Sequence, residues 1–147
     1  MINIQGLKFV VTACFLSHCV SATAADWVHV VKIESTADIT VMDIESLKKA
    51  GTVVTAWFKT TNAKPIKTLV EQSANRKPKD EYVAWTMQQM TIKCDDAEMA
   101  LRTAAEYRKD GTIIGMSSLV KSPYSAVLPD SLGSFMFKTA CSYVNSN

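Results

Sequence analysis

Any chemistry in this chain would have to come from its thiols, imidazoles and carboxylates. The chain has 4 cysteines and 2 histidines. Half of each, Cys14, Cys19 and His18, falls in one apolar stretch, FVVTACFLSHCVSATAADW, from Phe9 to Trp27. The rest of the chain keeps His29, Cys94 and Cys141. A reactive thiol needs a positive or histidine-bearing neighbourhood to lower its pKa, and His29, the one candidate, sits inside a strand-like segment. Zinc and other transition metals need three or four converging ligands, yet no C-x-x-C, H-E-x-x-H or histidine cluster is present. Asp95-Asp96 with Glu98 lacks the glycine and the spacing of a calcium loop. No glycine-rich turn is available to cradle phosphate, and no serine stands in a G-x-S-x-G elbow. Asp38 and Asp43 could in principle act as an acid and base pair. Nothing in the pattern brings them into a cleft, and both read as solvent-facing carboxylates at strand ends. The expectation is therefore a protein without catalytic, metal-binding or cofactor-binding residues.

The apolar stretch explains the cysteines that it holds. Met1 to Lys8 carries positive charge and no acid, Phe9 to Val20 is apolar, and Ser21-Ala22-Thr23-Ala24-Ala25 is a run of small residues. Such a core is well short of the roughly 20 residues that span a membrane. A positive start, a short apolar core and a small-residue site describe a secretory signal peptide, so 1–25 is expected to be removed after Ala24 or Ala25. A lipid-anchored alternative would use Cys14 or Cys19. Cys14 has only a short apolar lead after Lys8, and Cys19 follows the bulky His18 where the peptidase needs a small residue.

Export then bears on the other two cysteines, because exported chains mature where thiols oxidise. A Cys94–Cys141 disulfide is expected. It would close a loop of nearly fifty residues, worth on the order of 4 kcal/mol by the loop-entropy argument. Charge is nearly balanced, with Lys+Arg 16 against Asp+Glu 14, so composition points neither to nucleic acid nor to an anionic membrane surface. The densest basic patch, Arg76-Lys77-Pro78-Lys79, is followed at once by Asp80-Glu81 and reads as a solvated loop. Residues 26–147 are long enough for one domain with a single core.

The elements are mainly strands. Alternation or valine richness predicts strands over Trp27–Glu34, Ile39–Ile44, Thr52–Thr60 and Tyr82–Cys94, with a helical turn or loop at Ser46–Ala50. Thr61–Asp80, with two prolines and several charges, is expected to be the most mobile connection. Within Tyr82–Cys94 the apolar parity changes from Val83, Trp85 and Met87 to Met90, Ile92 and Cys94, which predicts a bulge near Gln88-Gln89. From Asp95 to Asp110 the rules conflict. Glu98, Arg102 and Glu106 stand four apart as on a helix, whereas Met99, Leu101, Thr103, Ala105 and Tyr107 alternate as on a strand. The hairpin signal Asp110-Gly111, with a returning strand at Thr112–Ser118, favours the strand. Pro129-Asp130-Ser131 opens a terminal helix with Leu132, Phe135, Met136, Thr139, Ala140 and Tyr143 on its apolar stripe. Trp27, Trp57 and Trp85 are expected to pack in the core.

The succession of Met42-Asp43 before Gly51, VVTAWF at Val53–Phe58, IKCDD at Ile92–Asp96, EYRKDGTII at Glu106–Ile114 and VLPDSLGSFMFKTAC at Val127–Cys141 resembles the surface-adhesin protein E family of exported bacterial proteins. The resemblance covers nearly all of the chain after the leader. It implies an α+β fold, an antiparallel meander of about six strands with a C-terminal helix tied to the sheet by the cysteine pair. It also implies a non-enzymatic binding module that attaches to host cells or to extracellular-matrix or plasma proteins. No binding residue carries over, since no contact motif is recognisable here. The alternative function is a soluble periplasmic inhibitor or envelope-maintenance protein. The sequence leaves open periplasm, secretion and cell surface, and an unpaired strand edge could join two copies.

Overall fold

The computed structural model describes residues 25–67 and 82–146. Six strands run in chain order across one antiparallel sheet: β1 Trp27–Lys32, β2 Ile39–Ala50, β3 Val53–Lys67, β4 Tyr82–Lys93, β5 Glu98–Tyr107 and β6 Ile113–Ser118. A two-residue β7, Ser125–Ala126, pairs with the other end of β5, and the helix α1, Leu132–Ser146, closes the described chain. The expected meander and terminal helix are both present, and Glu98–Tyr107 is a strand.

Local chemistry explains the turns. Gly51 takes φ +61° in the two-residue link between Ala50 and Val53, a conformation that glycine adopts without steric cost. The β5–β6 turn differs from the expected two-residue form. Arg108 N–H donates to Thr112 O and Gly111 N–H donates to Arg108 O, so Lys109, Asp110 and Gly111 make a three-residue turn, with Gly111 at φ +88°. Asp110 fixes it by accepting from the Thr112 amide at 2.9 Å and the Thr112 hydroxyl at 2.7 Å.

β2 is longer than expected. Ser46–Ala50 belongs to it, because Lys48, Lys49 and Ala50 pair with Thr55, Val54 and Val53. The register slips between Asp43 and Lys48, and the Ser46 hydroxyl fills the gap. It donates to Asp43 O at 2.7 Å and accepts the Trp57 amide at 3.0 Å, an amide that the slip would otherwise leave without a partner. β3 likewise extends through Thr61–Lys67, part of the expected mobile connection; the rest of that connection, with the Arg76–Lys79 patch, lies outside the described residues.

The expected bulge exists at the expected level but in the neighbouring strand. β4 keeps an unbroken register with β3 from Lys93 to Trp85. Against β5, Gln89 pairs with Thr103 and Met90 with Leu101, so Arg102 is the extra residue. β4 therefore never switches faces: Met90 and Ile92 point to one side, Trp85 and Met87 to the other.

The core lies between one sheet face and α1. Met42, Val54, Ala56, Phe58, Met90 and Ile92 meet Met136, Ala140 and Cys141 there, and all are buried. Ser131 caps the helix, its hydroxyl accepting the Ser134 amide at 3.1 Å. The helix comes close at Gly133, where an added Cβ would stand 3.2 Å from Met99 Sδ. Its apolar stripe runs through Leu132, Met136, Phe137, Ala140, Tyr143 and Val144. Phe135, expected on that stripe, is instead exposed. Beside the apolar core the same sheet face carries a polar row, Thr40–Thr60–Thr86–Glu106, in which the Thr40 and Thr60 hydroxyls are 2.9 Å apart.

Candidate functional site

Cys94 follows β4 at the start of its turn and Cys141 lies mid-helix, with Cα atoms 5.7 Å apart and a disulfide between them. The expected pair is thus a staple between sheet and helix, next to buried Ala140 and Ile92. His29 is exposed on the edge strand β1. Asp38 and Asp43 do not converge. The Asp38 carboxylate accepts the Ala63 amide at 2.8 Å and that of Asp43 accepts the Glu45 amide at 3.1 Å, each holding backbone beside an irregularity. Among the described residues no group of three or more His, Cys, Asp or Glu could hold a metal. Of the expected cleavage positions, Ala25 is exposed at the start of the described chain; Ala24, Cys14 and Cys19 lie outside it.

None of the three tryptophans joins the core. Trp27 is 37% exposed. Trp57 and Trp85 are half-buried on the sheet face opposite α1, out of phase with Phe58 and with Met90 and Ile92 respectively, although Val83, in phase with Trp85, is fully buried. Trp85 stacks on its cross-strand partner Tyr107, with ring centroids 5.5 Å apart and planes inclined by 11°. The Lys59 ammonium lies 4.9 Å from the Trp85 ring centroid. Three adjacent strands thus contribute to one stack, cation on indole on phenol, with Met87 and Ala105 as the neighbouring pair. Beside it a cleft of ≈ 430 Å³ is lined by Thr61, Asn62, Tyr82, Trp85 and Lys109 among others.

The far end of this face is organised by the bulge. As the extra residue, Arg102 turns its side chain to the Thr91 side, where Nε donates to Thr91 Oγ1 at 2.7 Å. One terminal nitrogen donates to the carbonyls of Val120 and Ser122 at 2.9 and 2.8 Å. Tyr124 is held between two cations, with Lys93 Nζ at 4.3 Å and the Arg102 guanidinium carbon at 4.9 Å from its ring centroid. Lys93 also pairs with Glu98 at 2.9 Å, and this bond, more than any other contact, raises the Lys93 pKa above its ordinary value. The Tyr124 phenol is lowered, first by hydrogen bonding with Thr91, then by Arg102 and by the positive charges of Arg102 and Lys93. The network straps residues 119–124 across β5. A signal for Arg102 was visible in the sequence only as a helical spacing with Glu98 and Glu106, which the strand makes irrelevant.

The family model described as surface-adhesin protein E matches residues 27–142. Crystal form II of Haemophilus influenzae protein E is 12% identical and has a TM-score of 0.51, over 72% of this chain and 82% of that one. Protein E from non-typeable Haemophilus influenzae is 13% identical, with a TM-score of 0.51 over 84% and 82% of the two chains. These likenesses establish the fold. No curated protein matches the sequence.

Proposed function

We propose, because this chain belongs to the surface-adhesin protein E family, that it is an exported, non-enzymatic module that binds proteins through the sheet face opposite its helix. Family membership itself implies protein binding and an exported or cell-surface location, and no helix among the described residues is long and apolar enough to cross a membrane. The finer reading is that 1–25 leaves as a signal peptide and 26–147 acts as one domain that attaches to host-cell, extracellular-matrix or plasma proteins. One observation carries the choice of surface: the Lys59–Trp85–Tyr107 stack stands on the face that α1 leaves open. Aromatic rings and cations combined in this way are the side chains that dominate binding at protein interfaces.

The experiment is a binding titration of the mature protein on a panel of immobilised matrix and plasma proteins, repeated with Trp85→Ala and Lys59→Ala. Saturable binding that Trp85→Ala weakens by roughly tenfold or more is expected for a central aromatic contact. Saturable binding to no panel member, or variants that bind like the parent, would overturn the reading.

A further inference from the structure

The two edges of the sheet are built differently. β1 is blunted: Val30 is an extra residue in its pairing with β2, His29 and Lys32 lie on it, and α1 packs beside it. At the other edge, β6 is the last strand of the sheet among the described residues, and it has no charge and no proline in IIGMSS. Natural edge strands are normally protected by charge, proline or irregularity, since an unpaired row of amides and carbonyls is a template for another strand. β6 has an irregularity only at its turn end, where Ile114 is the extra residue, which leaves Gly115–Ser118 regular. The Leu119 amide donates to Arg102 O on β5. Strand alternation then turns the amides of Met116 and Ser118 outward, away from the sheet.

The side chains agree with the backbone. Five large apolar residues along this edge, Ile113, Met116, Leu119, Val120 and Leu128, are exposed, from 41% at Leu119 to 72% at Val120. Between Ile113 and Leu128 there is a single charge, Lys121. The Arg102 strap holds Leu119 and Val120 in place, so their exposure is that of an ordered segment. An exposed apolar strip of this kind marks an interaction surface.

We propose that β6 receives an extended segment of another protein as an added strand, and that the segment is uncharged in its middle and acidic at its ends. The proposal rests on the reading of this chain as a protein-binding module but uses the β6 edge, which meets the Trp85 cleft only at Lys109. Charge selects the occupant. Lys109 precedes β6, with Arg108 and Asp110 on either side leaving that end positive by one charge, and Lys121 follows it; both lysines are exposed, and neither forms an ion pair among the described residues. A second copy pairing antiparallel about a twofold axis would bring the Lys109 end of one β6 to the Lys121 end of the other, placing like charges together. A lipid surface would leave the outward amides and carbonyls unsatisfied. An acidic-flanked strand satisfies the backbone, covers Met116 and neutralises both lysines.

The test uses the mature protein and a fluorescent peptide of alternating threonine and valine with two glutamates at each end, beside the same peptide with lysine flanks. The glutamate peptide is expected to bind saturably and to slow hydrogen exchange at the Met116 and Ser118 amides. The charge reversal Lys109→Glu/Lys121→Glu should weaken it by about tenfold or more and transfer the preference to the lysine-flanked peptide. Ser118→Pro, which removes one outward amide, should abolish binding while circular dichroism stays unchanged. If Ser118→Pro misfolds, the charge reversal still decides. No binding of either peptide, equal binding of both, a dimer in sedimentation that buries these amides, or protection of them by anionic vesicles would each overturn the proposal. Trp85→Ala, which tests the sheet face, should leave the preference for glutamate over lysine flanks unchanged.

Discussion

Phe58 and Trp57 are neighbours on one strand, yet Phe58 is fully buried while Trp57 remains half-buried on the other side of the sheet. The comparison extends along the strands: Met90 and Ile92 lie under the helix, whereas Trp85 and Met87 do not. Both faces contain large apolar side chains, so hydrophobicity alone does not decide which is buried. The second layer decides most of it: α1 supplies Met136, Ala140 and Cys141 to one face only, while on the other Val83 and Ala105 are buried and the larger rings stay half-buried. On the open face the same kind of side chain is interleaved with Lys59, Lys93 and Arg102, which stack on the aromatic rings that the helix leaves uncovered.

Four perturbations should separate the faces, in order of decreasing effect. Replacing both cysteines, Cys94→Ser with Cys141→Ser, detaches the helix from the sheet and should cost about 4 kcal/mol in denaturant unfolding. A loss near zero would mean that the staple does not hold the layers together. Next, Met42→Ala, beneath the helix with no exposed surface, should cost about 3 kcal/mol through cavity formation. Trp85→Ala on the open face should cost less, about 2 kcal/mol, roughly half for the aromatic pair and half for the area its half-buried ring covers, with no closed cavity left behind. If the two substitutions were equally costly, the contrast between the faces would fail.

The smallest effect is a pH dependence at the strapped end. Lys93 is raised in the fold, so its contribution is fully present below the ordinary lysine pKa and is lost as pH rises through the folded value. Tyr124 is lowered, so its contribution is absent below the folded value and appears as pH rises through it toward the ordinary tyrosine pKa. The two oppose each other in the alkaline range. Tyr124→Phe should therefore make thermal stability fall more steeply with alkaline pH than in the parent, and Lys93→Met should flatten the fall. Identical slopes in all three proteins would remove Lys93 and Tyr124 from the account.

Much of this arrangement was legible in the residues. The strand period at Met99–Tyr107, the helix start at Pro129-Asp130-Ser131 and the cysteine pair each depend on local or pairwise signals, and these survive into the fold. The parity change in β4 was also visible, but a period of two cannot say whether a strand switches faces or is apolar on both. The bulge that accompanies it lies at Arg102 of β5, where alternation on one strand is blind to its partner's register. The tryptophans were misplaced for the same reason: ring size argues for burial, but only the second layer determines which face is covered. Ser46 falls in a segment that reads as a helical turn or loop, and its role, accepting the Trp57 amide across a register slip, depends on pairing with a strand that follows Gly51.

Acrylamide quenching of tryptophan emission in the Trp27→Phe protein tests the central claim most directly, because it leaves Trp57 and Trp85 as the only indoles. An open face predicts red-shifted emission from both and quenching well above that of a core tryptophan, with binding of a partner protein on that face suppressing it. Blue-shifted emission that acrylamide does not reach would show that the face opposite the helix is covered, and would contradict its assignment as the binding surface.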